Sequence, residues 1–145
     1  MGHRIPNHKS VCRNLHGHRY KLKVQLGGEL QEVTGTSDEG MVLDFGDVKK
    51  ILIKEIHDYC DHSFMYSSSD QVLESFFAQN HSFRSIKVNF IPTAENIAFW
   101  VFDKLFHKLK IAYGNRLQLY KIELWETPTS SALVTVKDYL KGKEI

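Results

Sequence analysis

Two histidines separated by one residue are the side chains best suited to metal chemistry in this chain of 145 residues. His16 and His18 begin a stretch in which Tyr20, Leu22 and Val24 alternate with polar residues, a period typical of a β-strand. Side chains two residues apart on a strand point to the same face, roughly 6.5–7 Å apart along the backbone. Both imidazoles are therefore expected to reach one metal ion.

Two further side chains are candidates for the same pocket. His3 is a candidate third nitrogen ligand, and three histidines that leave one position open are typical of a catalytic zinc site. Cys12, four residues before His16, has two possible roles. Its thiol can act as a base or a nucleophile beside the metal, or it can be a fourth ligand that closes the site. A polar histidine pair without metal, at the end of a sheet, is the ordinary alternative.

Candidate acid–base and binding groups occur at two other places. A carboxylate beside an imidazole, as in Asp61-His62, can form a proton relay, although a solvated helix end is the common alternative. Ile122, Leu124 and Glu126 are spaced two residues apart, so they lie on the same face of the predicted strand. The Glu126 carboxylate is therefore expected to face inward and to need partners. A bound heterocycle with two N–H donors would satisfy it, as would a salt bridge at the rim.

The residues after Glu126 are rich in hydroxyl groups. Thr127, Thr129, Ser130 and Ser131 could bind a polar ligand, but the same residue types are common in turns. The sequence contains no glycine-rich phosphate loop, no His-Glu-x-x-His helix and no Gly-x-Ser-x-Gly turn, which are the motifs of several other enzyme classes.

The bulk properties predict a single domain over residues 1–145. The formal net charge of +2 gives no reason to expect a nucleic-acid partner. No signal peptide and no stretch long enough to cross a membrane is found, so a cytoplasmic protein with free thiols is expected. The Lys-rich stretch 137–143 is expected to be a solvated end.

Hydrophobic periodicity predicts an alternation of strands and helices. The predicted extended segments cover about residues 16–27, 30–36, 41–43, 86–91, 120–126 and 132–136. The predicted helices run from Asp44 or Asp47 to near Tyr59, from Val72 to Phe77, and from an N-cap at Thr93 to just before Gly114. A strand around His3 would have few residues before it, so it is short or begins upstream of this numbering.

This order of elements predicts an α+β domain, in which an antiparallel four-stranded sheet carries two main helices on one face. The two unpaired edges of such a sheet favour pairing with other copies of the chain. A homo-oligomer is therefore expected.

At these residues the chain resembles the 6-pyruvoyltetrahydropterin synthase family, including its bacterial branch, the 6-carboxytetrahydropterin synthases of queuosine biosynthesis. The most specific match is Cys12-Arg-Asn-Leu-His16-Gly-His18, which follows the family pattern Cys-x-x-x-His-Gly-His. Further ordered likenesses occur at Gly2–Ile5, Val42–Asp47, Asp61-His62, Pro92–Ala98 and Trp125–Thr129.

The resemblance implies a role for each candidate residue. One zinc ion per subunit would bind His3, His16 and His18. Cys12 would be the proton-abstracting thiolate, and Asp61 with His62 the second proton relay. Glu126 would anchor the pterin ring, and the other substrate contacts would come from Thr93, Glu95 and Thr127.

The resemblance also implies the tunnelling fold, in which trimers close their sheets into a barrel, pair into a hexamer and form active sites between subunits. The expected substrate is 7,8-dihydroneopterin triphosphate. The sequences of residues 92–98 and 126–132 look more like those of the bacterial branch. This favours the bacterial product, 6-carboxytetrahydropterin, formed with acetaldehyde and triphosphate. The alternatives are 6-pyruvoyltetrahydropterin formation and a non-catalytic, zinc-stabilised pterin-binding module.

Overall fold

Seven strands form two β-sheets in the part of the chain that the structure describes. The computed structural model describes residues 1–143. One sheet is mixed and contains β1 (Gly2–His3), β2 (His16–Gly17), β4 (Phe64–Ser67) and β5 (Ser85–Val88) in the order β2-β1-β4-β5. The other sheet is antiparallel and contains β3 (Lys21–Gly28), β6 (Leu117–Thr127) and β7 (Ser130–Thr135) in the order β3-β6-β7.

The helices begin where local capping chemistry predicts. A continuous helical run consists of α1 (Phe45–Leu52), a π-helical segment (Ile53–His57) and α2 (Asp58–Cys60); α3 (Gln71–Gln79), α4 (Ala94–Tyr113) and α5 (Val136–Lys143) follow. The side chain of Asp44 accepts a hydrogen bond from the Gly46 amide at 2.6 Å. Thr93 accepts one from the Asn96 amide at 3.3 Å. Both predicted N-caps are confirmed.

Helix α4 supplies the centre of the core. Its apolar face, predicted from the three-to-four spacing, is buried; Phe102 and Leu105 have no exposed surface. The same buried cluster includes Ile122 of the antiparallel sheet and Met65 of the mixed sheet. One helix therefore packs against both sheets and holds them together.

The predicted single antiparallel sheet of four strands is not what the structure contains. The four-stranded sheet is mixed because β4 pairs in parallel with both β1 and β5, and the antiparallel sheet has three strands. The sequence pattern does not predict β4, because Met65, Tyr66 and Ser67 are all buried. A strand buried on both faces shows no alternation.

The predicted strand over residues 30–36 is wrong. Only an isolated bridge between Gln31 and Glu39 forms there, and Val33 is 63% exposed. The backbone at Gly35 has a φ of +84°, a left-handed conformation that interrupts extended structure. The segment therefore crosses the surface as a loop.

The prediction that the Lys-rich stretch is solvated is confirmed for Lys137 and Lys141, which are exposed, but the stretch also packs as a helix. Residues 136–143 form α5, and Tyr139 is only 2% exposed because its ring packs against Phe102 and Phe106 of α4. Its hydroxyl donates a hydrogen bond to Asp103 at 2.7 Å. Within residues 1–143, no helix has both the length and the apolar character needed to cross a bilayer.

Candidate active site

The pairing of β1 with β2 brings three imidazole rings together. The antiparallel register sets His3 opposite His16, with their ring centroids 4.5 Å apart. His18 directly follows β2, and its ring centroid lies 5.4 Å from that of His3 and 5.1 Å from that of His16. One nitrogen from each ring lies within 4.8 Å of the others. The rings converge as predicted, although the strand is interrupted after Gly17.

Gly17 allows this close pairing. A Cβ atom at Gly17 would lie 3.3 Å from the carbonyl oxygen of Met1 and 3.4 Å from the Cα atom of Gly2. Any side chain would therefore push β1 away from β2 by a few tenths of an ångström. The glycine between the histidines keeps His3 within reach of His16.

Hydrogen bonds orient two of the three rings. Nδ1 of His3 lies 2.6 Å from the carbonyl oxygen of Pro92, and Nδ1 of His16 lies 2.8 Å from that of Asn14. A carbonyl oxygen only accepts, so both Nδ1 atoms carry hydrogen and each Nε2 is left to bind a metal ion.

The buried ring of His3 also has the charge state that a metal needs. His3 is 1% exposed, and burial lowers its pKa below the ordinary value. The ring is therefore neutral near pH 7, as metal coordination requires. The three histidine nitrogens match the donor set of a catalytic zinc ion.

Glu126 and Tyr20 complete the polar cluster around these rings. The Oε1 atom of Glu126 lies 3.4 Å from Nε2 of His3 and 3.9 Å from Nε2 of His18. The Tyr20 hydroxyl donates to the same oxygen at 3.2 Å and lies 3.3 Å from Nε2 of His3. Burial and the Glu126 carboxylate raise the pKa of Tyr20 far above its ordinary value, so the hydroxyl stays protonated. The carboxylate faces inward, as its parity predicts.

The N-terminus of α4 reaches the cluster through Pro92. The Pro92 carbonyl accepts a hydrogen bond from His3, and the next residue, Thr93, is the N-cap of α4. The Thr93 hydroxyl caps the helix, and Glu95 is exposed in its first turn. Thr127 follows Glu126 at the end of β6, and its hydroxyl accepts a hydrogen bond from the Thr129 amide at 3.3 Å.

Cys12 lies on a 3₁₀ turn (Val11–Arg13) and is half-buried with a free thiol. Its carbonyl oxygen accepts a hydrogen bond from the Ile5 amide at 2.9 Å, which fastens this turn to the chain that leaves β1. Among the described residues, the ligand atoms that lie within 4.8 Å of one another are the nitrogens of the three histidines, and the Cys12 sulfur is not one of them. The sulfur is therefore not grouped with the three histidine nitrogens as a fourth ligand.

Asp61 and His62 follow α2 and directly precede Ser63, whose carbonyl oxygen accepts a hydrogen bond from the Gly2 amide at 2.9 Å. The side chain of His62 is 88% exposed, and its Nε2 lies 3.7 Å from Oδ2 of Asp61. Within residues 1–143, no hydrogen bond or ring contact joins His62 to the three-histidine cluster. His62 instead lines an apolar groove of about 540 Å³, together with Leu15, Phe76 and Phe83.

An ion pair between Arg4 and Asp70 fixes the residue after His3. The sequence pattern does not predict this pair. Arg4 donates two hydrogen bonds to Asp70, at 2.5 Å and 2.9 Å. The Asp70 side chain is 2% exposed and also caps α3 through the Leu73 amide. The pair therefore anchors the β1 end of the cluster to α3.

Replacing Arg4 by alanine is expected to lower the free energy of unfolding by about 3 kcal/mol, because Asp70 would keep a buried charge without a partner. Urea denaturation measures this change. Lys50→Ala is the control, since its pair with Asp47 is exposed and such pairs contribute little. Equal stability of the two variants would contradict the anchoring role.

Cys60 is expected to be an unreactive thiol. Burial raises its pKa to about 11, so the thiolate is scarce at pH 8 and increases about tenfold for each pH unit up to the pKa. Alkylation of native protein by iodoacetamide, followed by mass spectrometry, should therefore be slow at pH 8 and accelerate strongly by pH 10. Urea-unfolded protein is the control, and rapid alkylation of native protein at pH 8 would contradict the prediction.

Comparison with known proteins relates the whole site to one family. The sequence model described as 6-pyruvoyl tetrahydropterin synthase matches residues 1–137. A protein from Haemophilus influenzae named 6-carboxy-5,6,7,8-tetrahydropterin synthase is 39% identical over 133 residues, which cover 90% of this chain and 88% of the relative. A protein of the same name from Aquifex aeolicus is 35% identical over 125 residues, 83% of this chain and 74% of the relative.

A solved structure agrees with the fold described above. An uncharacterised protein from Wolinella succinogenes superimposes with a TM-score of 0.71 at 25% sequence identity. The match covers 93% of this chain and 92% of the other. The described fold therefore extends over nearly the whole length of both chains.

Proposed function

Because the chain belongs to the 6-pyruvoyl tetrahydropterin synthase family, we propose that it is a zinc-dependent 6-carboxytetrahydropterin synthase. It would convert 7,8-dihydroneopterin triphosphate to 6-carboxy-5,6,7,8-tetrahydropterin, acetaldehyde and triphosphate, in queuosine biosynthesis. The name shared by the bacterial relatives supports the carboxy product. The observation that carries the proposal is the convergence of His3, His16 and His18 beside Glu126.

The three histidines would hold the zinc ion. A bound zinc ion supplies Lewis-acid polarisation of oxygen atoms on the substrate side chain. His3 and His16 are oriented for this by the carbonyl oxygens of Pro92 and Asn14. The rings are therefore held in place before any ion arrives, which lowers the entropic cost of binding.

The remaining residues would bind the ring and move protons. The Glu126 carboxylate, held by Tyr20, would accept hydrogen bonds from the N–H edge of the pterin, with Thr93, Glu95 and Thr127 at its border. Cys12 would accept the proton removed from the substrate side chain. The backbone bond that joins its turn to Ile5, two residues after His3, supports this role.

The second proton relay would act across a subunit boundary. The high exposure of His62, which has no hydrogen bond or ring contact with the cluster within residues 1–143, supports a role in the site of a neighbouring copy. The exposed rings of Phe76 and Phe83 in the adjoining groove support burial of this surface in an oligomer. We propose the family's hexamer, a dimer of trimers whose sheets close into a barrel.

Mixed oligomers test this arrangement. Cys12→Ala and His62→Ala chains, co-expressed with different tags and purified through both tags, should recover activity that neither variant has alone. A site built within one chain predicts no recovery. Recovery would place the two residues in chains that meet at one site.

Product analysis tests the function itself. Metal-replete protein is incubated with 7,8-dihydroneopterin triphosphate, and the products are identified by mass spectrometry and an acetaldehyde assay. A 6-carboxytetrahydropterin mass together with acetaldehyde is the expected result. A 6-pyruvoyltetrahydropterin mass without acetaldehyde would indicate the other synthase, and zinc binding without consumption would indicate a binding module.

A further inference from the structure

The hydroxyl group of Tyr20 lies between the two halves of the site. It is 3.3 Å from Nε2 of His3, on the metal side, and 3.2 Å from Oε1 of Glu126, on the ligand side. Nδ1 of His3 gives its hydrogen to Pro92, so Nε2 of the neutral ring is an acceptor. The single hydroxyl hydrogen can satisfy only one of these two acceptors well.

A metal ion changes which acceptor is available. An ion bound to His3 takes the lone pair on Nε2, and the hydroxyl then has Glu126 as its acceptor. We propose that Tyr20 is a positioning residue that couples metal binding by the three histidines to the orientation of the Glu126 carboxylate. The inference rests on the proposed function, since it takes Glu126 to be the carboxylate that binds the pterin.

The surrounding structure keeps the hydroxyl between these groups. The Tyr20 ring stands edge-on to the rings of His3 and His18, with centroids 6.0 Å and 5.7 Å away, and it packs against the hydrophobic core. Tyr20 and Glu126 flank the paired residues Lys21 and Trp125 of β3 and β6. These contacts hold the partly buried Tyr20 ring in place, whereas the Glu126 side chain is 24% exposed and open to a ligand.

The coupling has a definite thermodynamic form. A bound ion removes Nε2 of His3 as the competing acceptor, so the bond from the Tyr20 hydroxyl to Oε1, already present without the ion, holds the carboxylate more firmly before the pterin arrives. Zinc should therefore raise pterin affinity, and pterin should raise zinc affinity by the same factor, because coupling between two binding sites is reciprocal. Typical couplings are about 5- to 150-fold.

The test uses 6-methylpterin, which keeps the N–H edge of the ring but lacks the side-chain hydroxyls that could touch the ion directly. Its affinity is measured by pterin fluorescence with zinc-loaded and with zinc-free full-length protein. We expect zinc to raise the affinity of the unmodified protein about tenfold, within the usual range of such couplings. In Tyr20→Phe, the ratio of pterin affinities with and without zinc should fall to about one. The affinity for zinc in the absence of pterin, measured by chelator competition, should change little.

Two further variants separate positioning from general packing. Tyr139→Phe removes another buried tyrosine hydroxyl, the one that donates to Asp103, and should keep the full zinc effect. Glu126→Gln should bind 6-methylpterin more weakly, and adding Tyr20→Phe to it should have no further effect on the coupling. Thermal melting of each variant confirms that the fold is retained.

The outcomes distinguish this inference from the function on which it rests. A zinc effect of unchanged size in Tyr20→Phe, or no zinc effect in the unmodified protein, overturns the role of Tyr20 and leaves the proposed function intact. No binding of 6-methylpterin to the unmodified protein, together with no turnover of 7,8-dihydroneopterin triphosphate, overturns the proposed function itself.

Discussion

Replacing His3 by alanine should lower the affinity for zinc more than about 100-fold, because the loss even of groups that only support a ligand costs about 10- to 100-fold. His3 is the one fully buried ring of the three, at 1% exposure, and the ring that both neighbouring histidines face. Chelator competition with metal-free protein measures the effect.

His8 provides the matched control for this experiment. It lies on the exposed turn between β1 and Cys12, where its ring forms hydrogen bonds with the nearby Ser10, so His8→Ala should bind zinc like the unmodified protein. His16→Ala is a second test with less effect on the core, since that ring is half-buried. Full zinc affinity in both ligand variants would show that the ion binds elsewhere.

Replacing Cys12 by alanine should lower kcat about 10²- to 10⁴-fold, the range typical of a lost general base, while zinc stoichiometry stays the same. The reason is that the sulfur lies outside the group of nitrogen atoms that would bind the ion. Steady-state turnover and metal analysis of the same preparation measure both quantities.

Cys60→Ala is the control for the thiol experiment. Its thiol is held neutral by burial, so its loss should leave turnover within a few-fold of the unmodified protein. If Cys12→Ala instead loses zinc, the sulfur is a fourth ligand. If it keeps both zinc and rate, another group removes the proton.

Local signals in the sequence predict the helices and part of the site correctly. The caps at Asp44 and Thr93 depend on contacts within three residues, and the buried face of α4 depends on spacing along one helix. His16 and His18 likewise lie close in sequence. Their rings remain 5.1 Å apart even though β2 ends at Gly17, because one intervening residue cannot separate them far.

Contacts between distant parts of the chain could not be predicted in this way. The parallel pairing of β1 with β4 joins residues about sixty positions apart, and no local pattern distinguishes it from a hairpin. Tyr20 meets Glu126 across 106 positions. Its parity with His18 is a signal that could have placed it on the face of the cluster, but its hydrogen-bond partner depends on the register of β3 with β6.

The bond between His3 and the Pro92 carbonyl has a consequence for the amount of protein in a cell. Pro92 immediately precedes the helix that holds both sheets together, so an ion that fixes His3 also stabilises the start of that helix. Binding to the folded state alone adds about 4 kcal/mol when free ion exceeds its Kd a thousandfold. Zinc starvation should then increase proteolysis of the chain, so that the amount of this protein falls together with its catalytic activity.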